Sequence, residues 1–230
     1  MTPSRKSISV VAVHARLASQ HIDGHVPFLF GGETSLVHGA IQHRIIEFSA
    51  GRSAARRAMQ ALGVHPSEVL QGEGGEPIWP AGLSGSISHT DSLAVSLVAP
   101  SAAFESVGVD VDDGRPLGDA AAQTVSSRRE LRMLLSVGLA RSEEEAQNFA
   151  FSVKEAVFKC QYVLTGDRGL RFHQARLVEA PTGGGGCIAV AGWRTSAAVD
   201  LVLRRIVIVA CQAGGHAVFC ALVPARPHCV

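Results

Sequence analysis

Two aspartates two positions apart, and a glutamate and a lysine one helical turn apart, are the residues of this 230-residue chain with the most chemistry to offer. Asp110 and Asp112 lie in Ser106–Asp113, SVGVDVDD, whose period-two alternation sets Val107, Val109 and Val111 on one face of a strand. Gly108, Asp110 and Asp112 take the other. Carboxylates about 7 Å apart along a strand repel unless a cation lies between them. Hard oxygen ligands at that spacing suit Mg²⁺, which takes one or two carboxylates and fills its shell with water and substrate phosphate oxygens. A solvated strand face is the plainer alternative. Gly108 before the pair and Gly114-Arg115-Pro116 after it favour a site at a strand terminus.

The second pair sits in Phe149–Cys160, FAFSVKEAVFKC. A helical period gathers Phe149, Val153, Ala156, Val157, Cys160 and Leu164 on one stripe, with Glu155 and Lys159 opposite. On a surface helix such a pair would be a weak, solvated salt bridge. Yet Phe151, Phe158 and Tyr162 make the far face apolar as well, and a helix apolar on both sides is usually sandwiched between layers. Glu155 and Lys159 then occupy a crevice.

Basic groups come from two further stretches. A helix from about Ile41 to Leu62, stopped by Gly63 with Pro66 beyond, spreads Arg44, Arg52 and Arg56 over roughly 120° of its circumference. They form either a wet basic face or an anion site. Residues 71–91, QGEGGEPIWPAGLSGSISHTD, carry five glycines and two prolines before Ser-Ile-Ser88-His89 leads to a strand at Leu93–Ala99. Small residues beside His89 let backbone amides approach an anion; a structural, hydrogen-bonded histidine fits equally well.

These groups need a scaffold. Ser7–Val13 reads as a first strand and 21–39 as irregular. Ser127-x-x-Glu130 and Ser142-x-x-Glu145 are capping-box patterns; the first helix ends near Gly138 and the second runs to Gly166. Beyond it Leu170–Glu179, Cys187–Gly192, Val199–Cys211 and His216–Val223 read as strands around Gly-rich turns, with a loose tail from Pro224. Both halves run helix-then-strands. The expected fold is α+β, with pseudo-symmetric subdomains at 1–105 and 106–230. Each is a small, mostly antiparallel sheet packed on a long helix, with the chemistry at their interface.

Composition excludes several classes. The chain is 47% apolar and 18% charged, the pattern of a packed globule. A formal charge of +1 gives no bulk attraction to nucleic acid or membrane, so an anion site must be local. Five cysteines without a CxxC pair argue against zinc or a disulfide framework and for a reducing cytoplasm. Ile8–Val13 is too short for a signal segment. The apolar region 199–223 is cut by Arg204-Arg205 and Ala213-Gly214-Gly215, so it is not a membrane span.

Taken in order, G-R-S-A-A-R at 51–56, G-E-G-G-E-P-I-W-P…G-S-I-S-H at 72–89, G-V-D-V-D at 108–112 and F-S-V-K-E-A-V-F-K at 151–159 resemble the motifs of Sfp-type 4′-phosphopantetheinyl transferases. The likeness is to the enterobactin-synthase-component subgroup in particular and runs from about Arg44 to Lys159. It implies Mg²⁺-dependent transfer of the phosphopantetheine arm of coenzyme A to a serine of an apo acyl, peptidyl or aryl carrier protein, releasing adenosine 3′,5′-bisphosphate. By motif position it implies Asp110, Asp112 and Glu155 as metal ligands, with Asp110, Glu155 and Lys159 catalytic. Lys154 and Lys159 would contact the pyrophosphate and the pantetheine-side phosphate. Ser88, His89, Arg44 and Arg52 would hold the adenosine end and its 3′-phosphate, with Arg56 a further candidate from the same helix.

Two departures stand out. Asp112 replaces the family's usual glutamate, one methylene longer, which points to binding through water. Gly74 stands where relatives often carry a lysine, and Arg56 is the candidate substitute. Residues 114–128, with Leu117 and Val125, and the arginines 128, 129 and 132 are a candidate surface for the acidic helix of a carrier protein. A DxD-type phosphohydrolase or nucleotidyl transferase, and a non-catalytic coenzyme A- or carrier-binding domain, are the alternatives. Internal pseudo-symmetry points to a monomer.

Overall fold

The long helix at the chain's centre and the acidic strand before it pack directly on one another, and everything else is arranged around that contact. The computed structural model describes residues 14–180 and 188–226. The expected strand Ser7–Val13, the Gly-rich turn at 181–186 and the last four residues lie outside the described residues.

The first half runs β1 (Arg16–His21), α1 (Gly31–Leu36), α2 (Gln42–Ala61), β2 (Leu70–Gln71), β3 (Pro77–Ile78), β4 (Leu83–His89) and β5 (Leu93–Pro100). The second runs β6 (Phe104–Asp112), α3 (Asp119–Val125), α4 (Arg128–Ser136), α5 (Glu143–Thr165), a 3₁₀ turn at Phe172–Gln174, β7 (Ala175–Glu179), β8 (Ile188–Gly192), α6 (Ala197–Leu203), β9 (Val207–Ala213) and β10 (His216–Pro224). The architecture is α+β. Two antiparallel three-stranded sheets, ordered β1-β5-β4 and β6-β10-β9, repeat one topology, and each half adds a two-stranded ribbon, β2-β3 or β7-β8. In each half the first strand pairs with the last, and the long helix covers the sheet.

Local chemistry explains most boundaries. Gly63 and Gly166 end the long helices with φ of 76° and 68°, a conformation that costs glycine little. Ser127 and Glu130 close a full capping box: the Glu130 amide donates to Ser127 Oγ (3.3 Å) and the Ser127 amide to Glu130 Oε2 (2.8 Å). At α5 only half of the box forms. Ser142 Oγ accepts from the Glu145 amide (3.1 Å), while the Glu145 carboxylate reaches back to the Arg141 amide (2.7 Å).

Four expectations are corrected. Val199–Cys211 is not one strand: Ser196 caps a helix whose Val199, Val202 and Leu203 are buried, and only from Val207 does the chain extend. The helical period was hidden inside a mostly apolar stretch broken at Asp200 and Arg204-Arg205. Residues 21–39 contain α1, and the region read as a Gly/Ser loop becomes strand β4 from Leu83, because its small residues pack beneath neighbours; a Cβ on Gly85 would lie 2.5 Å from the Trp79 ring. Leu164, placed on the buried stripe, is exposed at the end of α5. Among the described residues no helix is long and apolar enough to cross a membrane.

The central contact is tight. A Cβ on Gly108 of β6 would sit 2.0 Å from the Ala156 carbonyl oxygen and 2.8 Å from the Cys160 nitrogen of α5. Ser106 Oγ, one strand period earlier, donates to the Cys160 carbonyl at 2.7 Å. The obstacle at Gly108 is backbone, so no rotamer relieves it. Gly108→Ala is therefore expected to lower stability by at least about 1–3 kcal/mol, the cost of overpacking. Urea unfolding of the variant measures this, and an unchanged midpoint would contradict the close approach.

Candidate functional site

The two sheets abut along β4 and β6, where the Val109 amide donates to Ser86 Oγ at 3.1 Å. One strand period on, three elements meet. Lys159 of α5 donates through Nζ to Asp110 Oδ1 (2.7 Å), to Ser88 Oγ (3.1 Å) and to the Val109 carbonyl (3.0 Å). Ser88 Oγ itself donates to Asp110 Oδ1 at 2.7 Å. Asp110 is buried and Lys159 keeps 28% of its side chain exposed, so the ammonium lies at the lip of the seam. Ser88, expected at the adenosine end beside His89, is thus at the lysine–aspartate pair. Alternation along β4 sends its neighbour His89 to the other side.

Glu155 and Asp112 flank this pair. Burial pushes the Glu155 carboxyl above the usual carboxylate range; Lys159 opposes the shift and the Asp110 charge adds to it. Asp112 is also pushed up by burial, held back by a hydrogen bond from the Gly114 amide, and raised further by Asp113 and Asp110. Asp110 is thus the charge both others feel. Their oxygens do not close on a point. Among the described residues, the His/Cys/Asp/Glu triad whose donor atoms all lie within 4.8 Å of one another is His43, Glu47 and Asp91, with His43 and Asp91 exposed. Like charges hold Asp110, Asp112 and Glu155 apart, and Lys159 is bonded to Asp110. The donor set still fits a divalent cation: three hard carboxylates, partly desolvated and mutually repelling, gain from a shared positive charge.

The basic groups gather on the α2 side. Arg44, Arg52 and His89 line a cavity of about 170 Å³ with Glu47, Phe48 and Gln71. Arg52 is buried, donates through Nε to the Val69 carbonyl at 2.8 Å and stacks on the Phe48 ring. No carboxylate lies within salt-bridge distance of it among the described residues. Burial pulls its guanidinium down to about 10, with Glu33 opposing and Arg44 and Arg56 adding to the shift. An under-compensated buried cation is a ready anion site. Glu47 was not anticipated. It draws His43 Nε2 (3.0 Å), Arg44 Nη1 (3.7 Å) and His89 Nδ1 (3.6 Å) together, and its i,i+3 and i,i+4 spacing to Arg44 and His43 was the available signal.

Arg56 and Lys154 are each paired with a glutamate. Arg56 Nη1 pairs with Glu33 Oε2 at 2.8 Å, and Glu33 also accepts from the Phe30 and Val69 amides. Lys154 Nζ pairs with Glu130 Oε1 at 2.6 Å and donates to the Val125 carbonyl at 2.8 Å, and Glu130 accepts from the Ser127 and Leu177 amides. These are one arrangement in duplicate: a glutamate in the first turn of a short helix bonds its own cap, a basic residue of the long helix and an amide at the two-stranded ribbon. Both Arg56 and Lys154 therefore spend their charge inside the fold. Nor does Arg56 replace the lysine absent at Gly74. The Tyr162 hydroxyl fills that space together with Arg168, whose Nη2 is 2.5 Å from where a Gly74 Cβ would stand.

A cavity of about 540 Å³ opens from Glu155 and Lys154 between Phe158, Leu170, Phe172 and Thr124. Leu170, Phe172 and Ala175, with Arg171 and His173 in the same wall, follow Gly166, where sequence pattern showed nothing beyond strands.

Because the folded state holds a proton on Glu155 more tightly than the unfolded chain does, ionising it at neutral pH costs the metal-free protein stability. The cost grows as pH rises from the ordinary glutamate value through the raised one, and is absent below both. Glu155→Gln should thus raise the melting temperature of metal-free protein at pH 7 and leave it unchanged near pH 3. A gain of equal size at both pH values would show that desolvated charge is not its cause.

Comparison with known proteins adds an independent finding. The model described as 4′-phosphopantetheinyl transferase N-terminal domain matches residues 32–99, and that of the 4′-phosphopantetheinyl transferase superfamily matches 106–207. The 4′-phosphopantetheinyl transferase Svp of Streptomyces mobaraensis is 36% identical over 162 residues, which is 70% of this chain and 65% of that protein. PptT of Mycobacterium tuberculosis is 30% identical over 148 residues, 63% of each chain. Enterobactin synthase component D of Escherichia coli K12 is 32% identical over 147 residues, 60% of this chain and 66% of that one. The chain spans just under two thirds of the length of these relatives.

Proposed function

Because this chain belongs to the 4′-phosphopantetheinyl transferase superfamily, we propose that it moves the phosphopantetheine arm of coenzyme A to a serine of an apo acyl, peptidyl or aryl carrier protein. The observation that carries this reading is the junction of Lys159, Asp110 and Ser88 in the seam, flanked by Asp112 and Glu155. A cavity lined by Arg44, Arg52 and His89, where Glu47 pairs with Arg44 and His89 but not with Arg52, lies to one side, and a largely apolar one to the other.

In this reading residues 1–105 carry the adenosine side and 106–230 the metal and lysine side, so one copy of the chain supplies the whole site. Arg52, Arg44 and His89 hold the 3′-phosphate, where a buried guanidinium without a counter-ion gains most from an anion. Lys159, kept in place by Asp110 and Ser88, faces the diphosphate. Ser88 then acts on the lysine and the aspartate, not on adenosine. The apolar cavity beyond Glu155 accepts the pantetheine arm. The carrier serine oxygen attacks the β-phosphorus, the bond to the bridging oxygen breaks, and adenosine 3′,5′-bisphosphate leaves. Glu155, made more basic than a solvated glutamate by burial, takes the serine proton. A Mg²⁺ ion held by Asp110, Asp112 and Glu155 would supply the positive charge that offsets the developing charge on the phosphoryl oxygens. The rest of the catalysis is positioning and electrostatics.

Incubation with coenzyme A, Mg²⁺ and an apo carrier protein should add the mass of one phosphopantetheine to the carrier. Asp110→Ala should abolish the gain while circular dichroism stays that of the parent; undiminished labelling by the variant would reject the assignment. The 3′-phosphate role has its own check. Arg52→Ala and His89→Ala are each expected to weaken coenzyme A about tenfold or more, as loss of a charged hydrogen bond does, with much smaller effects on dephospho-coenzyme A. Equal losses for both ligands would remove these residues from the phosphate.

A further inference from the structure

One buried polar atom in the seam has no partner. Asn148 lies on α5 in the stripe that continues through Ser152 and Glu155 to Lys159, at steps of four, three and four residues. The residue is 5% exposed, and Oδ1 has no hydrogen bond among the described residues. Its amide nitrogen donates to the Arg115 carbonyl (3.0 Å) and to Asp112 Oδ1 (3.5 Å). Both neighbours are acceptors, so a flipped amide would set oxygen against oxygen, and the orientation is determined. A buried acceptor left unpaired in this way asks for a donor.

What surrounds it indicates which donor. Asn148 lines a cavity of about 230 Å³ with Asp112, Asp113, Glu47, His89 and Ser152. Asp113 and Asp91 are tied to Arg115. Asp112 Oδ1 is drawn to the Gly114 amide at 2.8 Å as well as to Asn148. With one oxygen so restrained at the strand end, Asp112 is a short arm with limited reach toward Asp110 and Glu155.

We propose that Asn148 and Asp112 act as one unit toward the divalent cation. The amide nitrogen orients the carboxylate, and Oδ1 accepts a hydrogen bond from water in the cation's shell. Mg²⁺ retains several waters, and groups that fix such a shell contribute strongly to metal affinity. The inference rests on the metal reading above and adds to it a positioning residue peculiar to this aspartate.

The test is Mn²⁺ alone, which accepts the same hard oxygen ligands, titrated into the full chain without coenzyme A, with free ion read by electron paramagnetic resonance. Asn148→Ala should weaken Mn²⁺ about tenfold or more in the native background and by less than about threefold beside Asp112→Glu, where the longer acid reaches unaided. Asn148→Asp, which keeps an acceptor but loses the donor that orients Asp112, should lose less Mn²⁺ affinity than Asn148→Ala. Equal losses in both backgrounds, no loss in either, or a loss in Asn148→Asp as large as in Asn148→Ala would overturn the proposal while leaving the metal reading intact. An Asp110→Ala variant that binds Mn²⁺ as tightly as the parent would remove the metal reading, and this inference with it.

Discussion

Strand β6 brings Asp110 and Asp112 against the charged stripe of α5 only because Gly108 has no side chain. A strand and a helix normally keep the distance that their side chains require. Here the strand backbone meets the helix backbone, and Ser106 Oγ bonds the Cys160 carbonyl in the gap. That approach puts Asp110 at hydrogen-bond distance from Lys159 and Asp112 within reach of Asn148. The same strand then touches β4 of the other half, whose Ser88 closes the triangle. Without the contact at residue 108, carboxylates, lysine and serine would belong to separate surfaces.

The two halves are held by a repeated device. Glu33 with Arg56, and Glu130 with Lys154, each join a short helix, the long helix and a ribbon amide through one buried carboxylate. Burial drives the Glu130 carboxyl up, but the Lys154 ammonium and two backbone amides bring the net shift below the usual range. Such a pair is strongly destabilised by removing one partner, because the other is left charged and alone. This explains why basic residues on the two long helices divide into two kinds. Some lock the fold and others face the seam.

The seam itself is electrostatically expensive. Asp112 and Glu155 are desolvated without full compensation, and Arg52 is a buried cation with no carboxylate in salt-bridge reach. A fold selected for stability alone would pair or expose these groups. Their unspent charges are of opposite sign, and the cavity that Asp112 lines shares Glu47 and His89 with the one that Arg52 lines. Perturbed groups gathered in this way mark a candidate binding site.

The sequence by itself determined the elements with strong local signals. These are the long helices between their caps and glycines, the acidic strand through its period of two, and the set Asp110, Asp112, Glu155 and Lys159 through residue type and spacing. It also supplied the α+β class, since both halves run from helix to strands. Tertiary structure decided what residue type leaves open, namely which of several equivalent charges is free. Arg44, Arg52 and Arg56 share one helix arc, and Lys154 adjoins Glu155, yet Glu33 and Glu130 lie 23 and 24 residues away along the chain and no local pattern links them to Arg56 or Lys154. Ser88 and His89 are adjacent in sequence and were grouped together, but pleating sends them to different partners. The helix inside 197–203 was missed because a mostly apolar run broken only at Asp200 is compatible with both periods, and only packing against neighbouring layers selects one. Local spacing specifies which side chains share a face; which face meets which is settled by contacts between residues far apart in the chain.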